Sequence, residues 1–273
     1  MRRSILGCLK LGALGLLVAA TVARPAHVLH AQSLLKDLDL SSPDMTEAEM
    51  TRDEVVALIE KADADHPADF TAKRLNGLDL SNLDLSNATF RAARLNNADL
   101  SGANLQGAVL DQAWMLKVDL SGANLKNANL FQAQLVGAMM DGADLSGARV
   151  ASDLSKASLK NAKFVGASLG ADMRNQSMGL MRGVLRKATL DGADLSSADL
   201  SRVDFEFASL RGANLTGANL MRASLGGADL TEAIVDGANF NEADVTSTKL
   251  KSLVGADRSN LDRAHNLKSA FRD

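Results

Sequence analysis

The chain contains no tyrosine, one tryptophan (Trp114), one cysteine (Cys8) and three prolines in 273 residues, and aromatics make up 3% of it. A single cysteine excludes a disulfide framework, and it excludes thiol catalysis in any form that lacks residue 8. Beyond residue 31 the histidines are His66 and His265, near opposite ends of the remaining chain. No HExxH, GxSxG, GxGxxG or phosphate-loop pattern occurs, so the sequence implies no cofactor and no metal centre. Strong basicity is missing too. Residues 32–273 hold 26 Lys and Arg against 33 Asp and Glu, which argues against a nucleic-acid binder.

The first 31 residues differ in kind, with four bases (Arg2, Arg3, Lys10, Arg24) and no acid. The apolar stretch from Leu11 to Ala23 is 13 residues, short of the roughly 20 a membrane span needs. A basic start, a short apolar middle and a small-residue exit predict a cleavable signal peptide over 1–31. Cleavage after Ala31 is favoured, with Ala23 as the alternative. Arg2-Arg3 also fits twin-arginine export. Ile5-Leu6-Gly7-Cys8 has no apolar region ahead of it and is rejected as a lipidation box. The expected location is periplasmic or secreted. Retention in the membrane by an uncleaved leader is the alternative.

From Phe70 onward, every fifth residue is Leu, Phe, Met or Val as far as Val150, and the pattern returns from Leu185 to Leu250. Two positions before these centres, 12 of 13 residues between 88 and 148 are Ala, as are 11 of 12 between 188 and 243. A helix would set successive centres about 140° apart, and a straight strand would alternate them between faces. The chain must therefore bend once per repeat. Ala and Leu, two apart, point inward, while the residue between them, usually Asp, Asn or Ser, points out. The closing Gly or Asn suits a corner with positive φ.

These Ala-Asp/Asn-Leu-x-x units, as in Ala98-Asp99-Leu100-Ser101-Gly102, resemble the pentapeptide-repeat family over about residues 70–250. The resemblance implies an all-β solenoid, a right-handed quadrilateral β-helix with four repeats per coil. Thirty-six centres between 75 and 250 then give about nine coils and a rod of about 43 Å. The register loses one residue between Val150 and Leu154 and gains one between Leu169 and Leu180. A distorted corner is expected near Arg149–Asp153, and a bulge near Gly170–Gln176.

Residues 32–69 hold eleven acids against three bases, here expected to form a solvated face. Thr51 and Glu54 form a capping-box pattern, and Val55, Leu58, Ile59 and Ala62 share one side of a capping helix. Asp63-Ala64-Asp65 starts like a calcium loop, but Pro67 and a missing glycine make it a linker. Residues 251–273 form the other cap. There Ser259 could start a helix carrying Leu261, Ala264, Leu267 and Phe271, with an irregular continuing coil as the alternative. Either cap could pair two copies into a homodimer.

A Leu/Ala interior leaves no void for a substrate, and the departures from the repeat hold no acid–base–nucleophile set. The expected function is therefore non-enzymatic: an exported, rigid structural or protein-binding scaffold in the cell envelope. Its partner would be an envelope protein or an anionic polymer. The alternative implied by the resemblance is a DNA-mimicking protein that interacts with gyrase. Residues 70–250 carry 18 bases and 19 acids, which disfavours DNA mimicry, and the leader points away from cytoplasmic DNA. Candidate partner contacts are the departures from the repeat. On coils of twenty, Arg182, Arg202 and Arg222 stack, and Trp114 lies above Arg94. Phe131, Met139 and Phe207 take outward positions. Met173, Met178 and Met181 cluster at the bulge, with Met178 expected to point inward.

Overall fold

The computed structural model describes residues 39–171 and 181–273; the leader and most of the predicted bulge lie outside the described residues. Residues from Asp39 onward form one compact unit. The dominant order is parallel pairing at a spacing of twenty. Asp69 pairs with Thr89, Arg74 with Arg94, Asp79 with Asp99 and Asp84 with Asn104, and each series continues coil after coil. Four series define four faces, numbered 1 to 4 from Asp69, Arg74, Asp79 and Asp84. Each face contributes a single paired residue per coil, followed by a two-residue turn.

The backbone accounts for the five-residue period. In Ala98–Gly102 every N–H donates. Ala98 closes the preceding turn on Leu95 (3.1 Å), Asp99 bonds Leu78 in the coil below (2.9 Å), and Leu100 bonds Asp119 in the coil above (2.7 Å). Gly102 reaches Ser121, also above, at 2.9 Å. The remaining N–H, that of Ser101, donates to the Asp99 carboxylate at 2.9 Å. A buried or half-buried N–H without an acceptor costs free energy comparable to a lost hydrogen bond. The outward Asp or Asn is therefore a turn cap as well as a solvated residue. Asn124 also donates to Asn104 and Asn104 to Asp84, which adds a side-chain ladder between coils.

The core is as the periodicity predicts. The described centres from Phe70 to Val245 are at most 1% exposed, and the inward alanines from 88 to 243 at most 2%. Phe70 and Phe90 stack with ring centroids 5.0 Å apart. Burying each leucine contributes about 1.5–3 kcal/mol.

The short corner falls where expected. Ser152 takes the inward alanine's place, with its hydroxyl bonded to the Leu130 carbonyl, and pairing shifts to a spacing of nineteen (Gln134 with Asp153). The second slip is larger than a one-residue bulge. Asp153 pairs with Val184, so Leu185 stacks above Leu154 and the coil holds 31 residues instead of twenty. The excess leaves after Leu169 and returns at Gly183, whose N–H bonds the Leu169 carbonyl at 2.8 Å. Five-residue arithmetic hides this excursion because its length nearly preserves the phase. Met173, Met178 and Leu180 lie outside the described residues.

Two helices, α1 (Pro43–Thr46) and α2 (Arg52–Ile59), precede the coils. The capping box of α2 is formed, and Val55 is fully buried, with Ile59 and Ala62 packed against the core. Leu58, expected inward, is exposed. The acids of this segment are not uniformly solvated. Asp44 pairs with Arg74 (3.2 Å) and Arg94 (3.6 Å), and Glu49 with Lys73 (3.2 Å) and Arg74 (3.3 Å). Asp63 caps the turn through the Asp65 and His66 N–H groups. At the other end Ser259 starts no α-helix. The chain continues as a coil whose turns become 3-10 (Ala256–Arg258, Leu261–Arg263, Leu267–Ser269), with His265 paired to Asp244 and Phe271 to Lys249. Among the described residues no helix is long and apolar enough to cross a membrane.

Candidate functional site

Faces 3 and 4 follow the Asp/Asn rule through most of the first four coils; face 2 breaks it at once, with Arg74, Arg94, Trp114 and Gln134 in series. Arginine and tryptophan cannot accept the turn N–H, so a substitute acceptor is required. Two buried asparagines supply it from one coil below: Asn76 accepts from the Asn96 N–H (3.1 Å), and Asn96 from the Leu116 N–H (3.0 Å). Their amide groups donate onward to α1, Asn76 to the Asp44 and Glu47 carbonyls and Asn96 to Met45. The same device recurs on face 3, where Asp141 accepts from the Lys160 N–H and Asp191 from Arg211.

Higher on face 2, Asp204 is 1% exposed. It is held by Arg186 at 2.7 Å, with Arg182 at 3.9 Å; Arg186 also binds Glu206 at 2.9 Å. The corner between faces 1 and 2 carries Arg202, Arg222 and Glu242 on successive coils. Arg222 binds Glu242 at 2.6 Å, and that bond lowers the glutamate's pKa and raises the guanidinium's. In the row of Arg182, Arg202 and Arg222 that the sequence stacks, Arg182 turns to Asp204 and Arg222 to Glu242.

The opposite corner, between faces 2 and 3, bears Lys117, Gly137, Lys156, Lys187 and Phe207 on consecutive coils, as the N–H bonds to Val136, Ser155, Arg186, Glu206 and Gly226 establish. All five have left-handed φ, between 54° and 70°. Glycine or asparagine fills most equivalent positions on the two corners bordering face 4. Sequence reasoning singled out Phe207 here and missed the lysines. The signal was available, as lysine at the fifth position of a repeat where a left-handed corner favours Gly or Asn.

Phe207 is the most exposed large hydrophobic residue described, at 62%, and Met139 beside this corner is 47% exposed. The Phe207 ring lies over Gly227, where a Cβ would come within 2.7 Å of it. Phe131, expected outward, is instead buried beneath the Arg149 guanidinium, 3.9 Å from the ring centroid. Trp114 is half-buried directly above Arg94, as the coil register predicts. Met181 is half-buried at the return of the excursion. An open groove of about 480 Å³ between α2 and the first coils is lined by Ile59, Ala62, Pro67 and Leu85, and its carboxylates Asp63 and Asp84 cap turns.

These features define a solenoid of stacked five-residue repeats, and its likeness to known proteins gives its class. The family model for pentapeptide repeats matches eight copies, over residues 74–112, 117–147, 184–217 and 218–252. The chain belongs to the pentapeptide-repeat family, whose members are right-handed quadrilateral β-helices and generally non-enzymatic structural or binding proteins. Among solved structures it is similar to HetL, a pentapeptide repeat protein involved in heterocyst differentiation regulation in the cyanobacterium Nostoc sp. strain PCC 7120. That match has 29% identity and a TM-score of 0.51, covering 81% of this chain and 97% of HetL. A trypsin-treated form of QnrB1, a plasmid-mediated fluoroquinolone resistance protein, matches at 20% identity and TM-score 0.47, covering 73% and 89%. A pentapeptide repeat protein of the Arabidopsis thaliana thylakoid lumen matches at 33% identity and TM-score 0.28, covering 42% and 69%. The search of curated proteins found no match.

Proposed function

We propose that this protein is an exported, non-enzymatic scaffold of the cell envelope, a stack of about nine coils that presents face 2 and its two corners to a partner. The nine paired residues of face 1, Asp69 to Asn239, support the coil count. In this reading α1 and α2 close the first coil, and the 3-10 coil closes the last. The observation that carries the scaffold reading is the interior, where the described inward side chains from Phe70 to Val245 are close to fully buried. Side chains that could recognise a partner are confined to the outer walls. The basic, apolar character of residues 1–31 carries the export half.

Fractionation of the native host, with N-terminal sequencing of the protein recovered, tests that half. A mature form starting at Gln32 or Arg24 in the envelope or medium is expected. An intact Met1 form in the cytoplasm would overturn export. A broad hydrolase screen tests the other half, and turnover abolished by one surface Asp substitution would overturn the non-enzymatic reading.

A further inference from the structure

Lys117, Lys156 and Lys187 sit on one corner of the coils, Lys156 directly below Lys187 and Lys117 two levels under Lys156. All three are exposed. Among the described residues, none has a carboxylate within ion-pair distance. Of the acids on or beside face 2 at these levels, Asp153 accepts the Ser155 N–H at 2.9 Å, and Asp204 and Glu206 are both held by Arg186. Two like charges one coil apart, about 4.8 Å along the axis, repel each other. The fold also disfavours these residues locally, since left-handed backbone suits Gly or Asn better than Lys or Phe. The next coil adds Phe207, more than half exposed, and Met139 projects from face 3 beside Gly137. Cations and exposed apolar side chains thus share one ridge. It spans four coil steps from Lys117 to Phe207, about 19 Å.

We propose that the Lys117–Lys156–Lys187–Phe207 ridge, with Met139 beside it, docks the protein on an anionic lipid bilayer. The lysines would lie at the headgroup phosphates, and the phenylalanine and methionine would enter the interface. A soluble polyanion would satisfy the lysines and leave Phe207 and Met139 in water, so the apolar pair selects the bilayer. The proposal deepens the scaffold reading by naming a partner, and rests on it.

The test uses the full chain and its Lys117→Asn/Lys156→Asn/Lys187→Asn and Phe207→Asn variants. Asparagine tolerates the left-handed corner, so the variants should fold with unchanged or slightly raised thermal stability. Co-sedimentation is measured with vesicles of phosphatidylcholine containing phosphatidylglycerol, and with phosphatidylcholine alone. Because residues 1–31 are partly apolar and carry four bases of their own, the readout is the difference between the wild type and its variants on the anionic vesicles, since all of them share that segment. The wild type should prefer the anionic vesicles in a salt-sensitive way. The triple variant should lose roughly a hundredfold, about fivefold per lysine. Phe207→Asn should weaken binding further. Equal binding by wild type and triple variant overturns the proposal. So does dextran sulfate binding that matches the vesicles and is indifferent to Phe207→Asn, which would make the ridge a polyanion site. The fractionation test stands apart, since bilayer binding can fail while export and the scaffold role hold.

Discussion

At the scale of the residue, the fold turns on who accepts the N–H that follows each buried leucine. On most repeats it is the outward Asp or Asn. On lower face 2 it is Asn76 or Asn96, buried and bonded both to the next coil and to α1. Asn96→Ala should therefore cost about 1–3 kcal/mol in urea or thermal unfolding, because it strands the Leu116 N–H. The turn carboxylates carry a pH signature. Hydrogen bonds from Thr71 to Asp69, from Ser81 to Asp79 and from Ser86 to Asp84 lower each pKa. At Asp229 burial raises it, but the Thr231 hydroxyl and N–H and the Lys249 ammonium outweigh that and bring it to about 2. A pKa lowered in the folded state contributes stability above the unfolded value near 4, and loses it as pH falls through the folded value. The unfolding midpoint should hold down to about pH 4–5 and drop between there and pH 2. The inward Ala and Leu were legible in the sequence because their period is geometric. The cap role of Asp99 was not, because an outward acid has the same pattern whether it binds water or an N–H.

At the scale of the element, helix α2 and the excursion show two kinds of legibility. The Thr51/Glu54 pair and Val55 predicted α2 from local chemistry, and the helix is there. Leu58 followed the same helical period yet is exposed, since a two-turn helix against a flat coil end buries a narrower stripe than the pattern allows. Val55→Ala should destabilise the protein by about 2 kcal/mol, whereas Leu58→Ala should change it by less than about 0.5, both read from chemical denaturation. The 31-residue coil was illegible because register along the sequence does not report which coil a residue stacks on. Only pairing across coils, Asp153 with Val184, reveals it. The lysine corner was half-legible: lysine at the fifth position of a repeat marked each member, but Lys156 and Lys187 become neighbours only when the 31-residue coil aligns them.

At the scale of the molecule, a chain of near-neutral rod charge keeps its chemistry segregated by face. Glycine and asparagine fill most corners around face 4, and the corners flanking face 2 carry Arg202, Arg222, Glu242, Lys156, Lys187 and Phe207. Stacked coils contact mainly their neighbours, so substitutions several coils apart should add, as in other solenoids. The central claim is that the axis is dry from Phe70 to Val245 and that recognition is left to the walls. A high-resolution crystal structure of the mature protein tests it most directly. The account predicts unbroken inward columns of leucine and alanine with no ordered water or ligand between them. An axial cavity holding water or a bound molecule, or those columns facing solvent, would contradict it.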